Sequence, residues 1–493
     1  MKLVILESGA KARTIKKYLG KGWIVDACNG HVQDLPSNRK NKDSSKAMWS
    51  SKPGELPKPP WSWTDRAERI MTKIISKAEK AGVDEVFIAT DPDREGEFIA
   101  WRLNSILSNF NSVKRVSFNE ITKDAVTSAI SNPQELDMDL VDAAIVRRLM
   151  DRLVGFRCSK FCRSWKLKSM GRVQTPTLGF IVEKEIEREA HVPKEYNSVE
   201  AVSNGVDLKV RFHESNDPEA WMDDDGKHFP ARTSNTAFAK SAFDLINSKR
   251  SLKLESLKEG TVSRKPKAPF TTDTMLQTSS STLGWSIAKT SKIASTLYQS
   301  GHITYIRTDS TRTNANARDD IRKYIESNFG QDFLGDGVGE SGKSKDNVQD
   351  AHEAIRPTNP SAEAAGEDRD EKALYRLIWS RFASSQMSNS IRERRSLSFS
   401  CDGLGVPLNG ASTWRIHAGW EEVFSWSYKN VQTQPPKIGF NAGSLWSIDE
   451  DATLTIDFTK PPRRFTESSI IQQMKKDGIG RPSTYVSTVS KLV

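Results

Sequence analysis

At 493 residues the chain is too long for one ordinary hydrophobic core, so two to four domains are expected. Charged residues make up 28% and apolar residues 36%, and no apolar run approaches the roughly 18 residues that span a bilayer. The excess of 73 Lys and Arg over 63 Asp and Glu favours a polyanionic partner, nucleic acid being the commonest.

KLVIL (2–6) reads as a short buried strand. Glu7 ends it too early for a secretory signal segment, so a cytoplasmic protein is expected. Ser8-Gly9 then turns into a helical stretch, AKARTIKKYLG, that stops at Gly20. Residues 36–63, rich in Pro, Ser and Lys, read as a surface excursion. EVFIAT (85–90) is a second buried strand, followed by a helix with Phe98, Ile99, Leu103, Ile106 and Leu107 on one face. Strand, acidic turn, helix thus occurs twice, which predicts an α/β sheet whose active edge lies at the strands' carboxyl ends.

Residues 140–190 read as helical and basic, and alternation over about 197–262 predicts strands. A helical block resumes with TTDTMLQTSSSTLGW and runs to about 330, and GDGVGESGKSKDN (335–347) has the composition of a flexible loop. A further β-rich stretch spans 395–458, before a final helix from about 466, and no internal repeat is seen. Cys158 and Cys162 suit one helix face, but no second Cys/His pair follows at zinc-ribbon spacing. With Cys28 and Cys401 they are expected to be reduced thiols, with no zinc.

Asp91, Asp93 and Glu95 alternate in one turn, and Glu7 adjoins them if the two strands pair. Carboxylates packed this closely repel unless a cation intervenes. Hard oxygen ligands suit Mg²⁺, held by one or two carboxylates with water and phosphate. The alternative is a solvated helix N-terminus, where the dipole favours acidic residues.

Glu7 followed by DPDREGE resembles a Toprim domain, the α/β module shared by topoisomerases, primases and some nucleases. GHITYIRTDSTRTN (301–314) closely resembles the nucleophile segment of type IA DNA topoisomerases. RVSFNEIT, RRLMDRLVGF, SMGRVQTPTLG, APFTTDTMLQ, AHEAIRPT and DGIGRPSTY resemble further family segments, in family order.

The resemblance implies that Tyr305 attacks a DNA phosphate and becomes joined to its 5′ side, with Arg307 stabilising charge on the phosphate oxygens. A phenol of pKa about 10 is a weak nucleophile, but it leaves well enough for religation without ATP. Lys11 is implied as partner of the leaving 3′ oxygen, Glu7 as acid/base, and His352 as a neighbour of the nucleophile. Glu7, Asp91, Asp93 and Glu95 are implied as Mg²⁺ holders, while Glu97 falls outside that set and serves the helix N-terminus. Contacts to DNA are implied at His31, Arg115, Arg147, Arg148, Asp151, Phe156, Ser169, Met170, Gly171, Arg172, Val173, Gln174, Arg307 and Arg481. Arg147 and Arg148 are expected to point to different sides of one helical turn.

Some features depart from the family. Gly9 stands where the family commonly has proline, which loosens the turn between Glu7 and Lys11. GRVQTPTLG resembles the type III and archaeal branch, whereas YIRTDSTR resembles the bacterial type I branch. Only eight residues follow Tyr485, so either a truncated chain or a shortened helical base is expected, which weakens the expectation of full strand passage.

The implied architecture is an α/β multidomain toroid. A Rossmann-like Toprim domain (1–35 and 60–139) joins a helical base (36–59, 140–196 and 466–493) and a β-rich arch (197–265 and 395–465). A helical domain (266–394) carries Tyr305. The implied function is that of a monomeric, nucleoid-associated isomerase that relaxes negatively supercoiled DNA by single-strand cleavage, passage and religation. The alternatives are a homologue that holds single strands without turnover, or a Toprim nuclease or primase.

Overall fold

Two faces of one short strand dictate how the first third of the chain packs. The strands there are β1 (Lys2–Leu6), β2 (Trp23–Ala27), β3 (Gln33–Asp34), β4 (Ser62–Trp63), β5 (Glu85–Ala89) and β6 (Ser112–Arg115). They form a parallel sheet in the order β2-β1-β5-β6 and a separate antiparallel β3–β4 pair. Leu3 and Ile5 pack with Met71, Ile74, Ile99 and Leu103 on one face. Val4 and Leu6 join a second core with Ile15, Leu297, Ile303 and Tyr305 on the other. Burial on both faces is what a continuously apolar parallel strand requires. The structure, a computed structural model, describes residues 1–36, 60–167, 170–339, 352–428, 430–435 and 440–492, without the side chains of residues 156 and 157. Most of the expected excursion at 36–63 and most of the 335–347 loop lie outside the described residues.

Leu6 pairs with Ala89, so Glu7 and the turn after Ala89 leave the same sheet edge. The helix Gly9–Leu19 starts under the cap of Ser8, whose hydroxyl accepts from the Ala10 N–H at 3.4 Å, and ends at Gly20. That cap, with the Gly30 N–H donating to the Glu7 carbonyl at 3.1 Å, holds the turn despite Gly9. The helix Arg94–Ile106 is capped by Asp93, which accepts from the Gly96 N–H at 2.8 Å. At Gly96 a Cβ would lie 2.1 Å from the Asp91 carbonyl oxygen, so only glycine lets the acidic turn fold this tightly.

The second sheet is antiparallel, in the order β12-β9-β10-β11-β8-β7-β13. Its strands are β7 (Glu195–Ser203), β8 (Val206–Val210), β9 (Ser251–Arg264), β10 (Ser390–Ser400), β11 (Leu408–His417), β12 (Leu445–Ser447) and β13 (Thr453–Phe458). Strands were expected throughout 197–262, but the helix Thr236–Lys249 interrupts them. Ala239, Ala242 and Ile246 recur at helical spacing and bury against Val199, Leu208 and Leu252, which decides the matter.

Between β9 and β10 the described residues include four α-helices, Thr272–Leu283, Ile287–Gln299, Ala315–Phe329 and Arg369–Ser384. Arg264 and Ser390, where the chain enters and leaves this unit, are register partners. The basic stretch 140–190 is two helices, Met138–Ser164 and Gln174–Glu189. Glu467–Lys476 and Tyr485–Val489 are helices that pack on the second of them. Among the described residues no helix is long and apolar enough to cross a membrane.

Candidate active site

Tyr305 meets the sheet edge directly. Its N–H donates to the Asn119 carbonyl at 2.7 Å, and its hydroxyl donates to Asp93 at 2.5 Å. This approach is close because Gly301, at φ +81°, runs where a Cβ would sit 2.6 Å from the Ile121 carbonyl. The Tyr305 ring is buried, stacked on His352 with centroids 5.8 Å apart and edge-on to Tyr298 at 5.2 Å. Burial, then the charges of Asp93 and Asp91, push its phenol well above the ordinary value. His352 is buried too, with neither ring nitrogen partnered among the described residues, and burial lowers its pKa.

Arg307 reaches Asp93 at 3.3 Å and keeps its outer face exposed. Burial opposes ionisation of Asp93, yet Arg307, the Tyr305 hydroxyl and the Gly96 N–H hold its carboxyl below the ordinary range. Lys11 is buried, pairs with Asp91, and sits 4.5 Å above the Tyr298 ring. Glu7 lies between these groups, and the Asp91 N–H contacts its carboxylate at 3.5 Å. Burial, then Asp91 and Asp93, raise Glu7 from 4.5 to about 7.

A raised carboxyl stays protonated in the folded chain at pH values where the unfolded chain has released its proton. Stability therefore falls as pH rises from about 4.5 to about 7 and stays reduced above that. Glu7→Gln should leave stability at pH 4 nearly unchanged and raise it at pH 8 by on the order of 2 kcal/mol. Thermal melts at the two pH values check this, and an equal shift at both would sink it.

The acidic residues split into two groups. Among the described residues no three His, Cys, Asp or Glu side chains are gathered as a metal site. Like-charge crowding at Glu7 is nonetheless what a divalent cation relieves, and Mg²⁺ needs only one or two carboxylates. Glu7, Asp91 and Asp93 fit that ion. Glu95 does not join them: it is paired with Arg148 at 2.9 Å, His31 at 3.2 Å and Arg147 at 3.3 Å. Burial opposes its ionisation, but His31, Arg148 and Arg147 bring it down to about 2. In this structure the carboxylate of Glu95 thus faces these cations and not Glu7.

Arg147 and Arg148 converge on Glu95 rather than diverging, because their long side chains bend back to one carboxylate. Arg148 also pairs with Asp34 at 2.7 Å, and Asp151 holds Arg172 at 2.9 Å. His31, Arg147, Arg148, Asp151, Arg307 and Glu7 line one open groove of about 630 Å³. Beyond it, the Met170 N–H donates to the Ser159 hydroxyl and the Gly171 N–H to the Thr175 hydroxyl, both at 3.1 Å. Val173 caps the helix that Gln174 opens. Arg481 donates to the carbonyl of Gly480 at 2.8 Å. Ser169 and the Phe156 side chain lie outside the described residues.

Arg115 is the clear misplacement. It is buried, its guanidinium donating to Glu97 at 2.9 Å and to the Thr90 carbonyl at 2.9 Å, so it faces no groove. Glu97 is therefore an internal ion-pair partner, not a solvated helix-terminal acid. Arg115→Met should destabilise the fold by about 3–5 kcal/mol by stranding the Glu97 charge. Urea unfolding checks this, and Arg115→Met with Glu97→Leu should recover much of the loss. Sequence reasoning missed Tyr298, which contacts both Lys11 and Tyr305 yet sits in an unremarkable helical repeat.

Comparison with known proteins places this arrangement. Residues 2–121 match the family described as Toprim domain, and residues 135–493 match the family described as DNA topoisomerase. DNA topoisomerase 1 of Escherichia coli is 36% identical, over 99% of this chain and 58% of its own length. DNA topoisomerase 1 of Thermotoga maritima is 35% identical, over 100% of this chain and 74% of its own. The solved structure of full-length topoisomerase I from Thermotoga maritima matches with a TM-score of 0.80 at 32% identity, covering 100% of this chain and 78% of that one. The fold is thus a Toprim sheet within an α/β multidomain topoisomerase architecture. The chain belongs to the type IA DNA topoisomerase family. It spans about 58% of the length of the first curated relatives it matches.

Proposed function

We propose that this chain cuts one DNA strand through Tyr305, lets another strand pass, and reseals the break, relaxing negatively supercoiled DNA without ATP. The observation that carries the reading is the Tyr305 hydroxyl bonded to Asp93, with Arg307 alongside and Glu7 and Lys11 on the same sheet edge. DNA, unpaired or negatively supercoiled, is the substrate, and the protein acts as a monomer.

In cleavage, the Tyr305 oxygen bonds to the scissile phosphorus as the bond to the 3′ oxygen breaks. Asp93, already the hydroxyl's acceptor, takes the phenolic proton. Glu7, with its carboxyl near pKa 7, returns a proton to the 3′ oxygen, and Lys11 steadies that oxygen's charge. Arg307 offsets charge building on the phosphate. The phosphate ester is conserved as a tyrosyl link, so the 3′ hydroxyl can reverse the reaction. Entry of DNA must first draw the phenol from its buried contact with Asp93.

Glu7, Asp91 and Asp93 would hold Mg²⁺, which would supply positive charge toward a bound phosphate. It should raise the unfolding midpoint more at pH 8 than at pH 5, where Glu7 carries its proton. Equal midpoints with Mg²⁺ and with a chelator, at both pH values, would count against an ion there.

Denaturing after incubation with a single-stranded oligonucleotide tests cleavage, and a covalent adduct is the expected result. Shortened fragments without an adduct would favour a nuclease. Relaxation of a supercoiled plasmid tests passage separately, and adduct formation without relaxation would reduce the reading to a strand-cleaving homologue.

A further inference from the structure

Arg94 lies inside the acidic motif, yet among the described residues no carboxylate closes an ion pair with it. Its Nε is buried without a hydrogen-bond partner among the described residues. Arg147 and Arg481 border the same cavity as Arg94. A half-buried cation beside two other cations is unfavourable unless an anion completes the set. The space for one is present. A cavity of about 220 Å³ is lined by Arg94, Arg147, Arg307, Arg481, Asp309 and Ser483. Asp93 and Glu95 also border it, but their oxygens are engaged by Tyr305 and Arg307, and by His31 and the paired arginines. Four guanidinium groups face three carboxylates, an imbalance that suits a singly charged phosphodiester.

Arg147, Arg307 and Ser483 border both this cavity and the open groove that holds Glu7 and His31. A strand lying in the groove therefore passes Arg307 and presents its neighbouring phosphate to the cavity. We propose that Arg94 seats the backbone phosphodiester flanking the cleaved one, with Arg147 and Arg481 on its remaining oxygens. This rests on the strand-cleavage reading and adds where the adjoining phosphate is held.

The test uses the full chain carrying Tyr305→Phe, so that binding is read without cleavage. Affinity for a single-stranded oligonucleotide is measured against KCl concentration, with Arg94 intact, as Arg94→Gln and as Arg94→Lys. Arg94→Gln should weaken binding roughly tenfold and make the slope of log affinity against log salt shallower by about 0.7, as for one lost phosphate contact. Arg94→Lys should keep the slope. Oligonucleotides with single neutral methylphosphonates should reveal one position that matters to the Arg94 chain and not to Arg94→Gln. Unchanged affinity and slope in Arg94→Gln would overturn the proposal. Should Arg94→Gln unfold, the methylphosphonate scan of the Arg94 chain decides, and a profile flat at every phosphate overturns it. Failure of the Tyr305 chain to form an adduct would remove the cleavage reading alone, while an adduct with a flat profile would remove only the role of Arg94.

Discussion

Tyr305→Phe is expected to abolish the denaturation-resistant DNA adduct while leaving the fold and single-strand binding nearly intact. The substitution removes one oxygen and keeps the ring that packs on His352 and Tyr298. Asp93 loses one donor but retains the Gly96 N–H and Arg307, so the stability change should stay near 1 kcal/mol. Among the described residues no other phenol bonds to the acidic turn: Tyr298 is buried beside Tyr305, and its hydroxyl has no partner there. The measurement is adduct yield on a labelled oligonucleotide beside affinity for the same strand. An adduct at wild-type yield would end the case for this residue.

Arg307→Ala is expected to slow cleavage by about 10²–10³-fold, equivalent to about 3–4 kcal/mol for a lost charged donor at the developing oxyanion. A second effect follows from its contact with Asp93 at 3.3 Å. With the guanidinium gone, burial is opposed less, so the Asp93 carboxyl moves upward and the acid limb of the rate profile shifts to higher pH. Arg307→Lys should recover part of the rate, since charge returns without the planar fork. Rate against pH for the three forms separates this from simple structural loss, which would lower the curve without moving it.

Much of this site was legible because its parts are local. Two apolar runs ending in carboxylates predict paired parallel strands, and pairing alone brings Glu7 beside Asp91. The resemblance of residues 301–314 then supplied Tyr305 and Arg307. What the sequence hid was the destination of long charged side chains. Arg115 reads as a cation at a strand end, and nothing nearby says that Glu97, eighteen positions earlier, draws it inward. Arg147 and Arg148 leave the helix about 100° apart, yet flexible stems return both to Glu95. Glu95 in turn looks equivalent to Asp91 and Asp93 until the pairing with His31 and two arginines removes it from their group. The helix Thr236–Lys249 was lost among strands because alternation on either side masked its own spacing.

The four-helix unit bearing Tyr305 is joined to the seven-stranded sheet at two neighbouring points, Arg264 and Ser390, and Asn389 adds a side-chain bond to Ser263 at 3.0 Å. Such a mounting resembles a door on two pins more than a ball on a tether, because the two chain crossings lie side by side on adjacent strands. On the proposed strand-cleavage reading, a broken DNA end carried on that door would travel out and back along a single arc. The severed ends would meet again in the orientation in which they parted, with no search and no external memory of where they belonged.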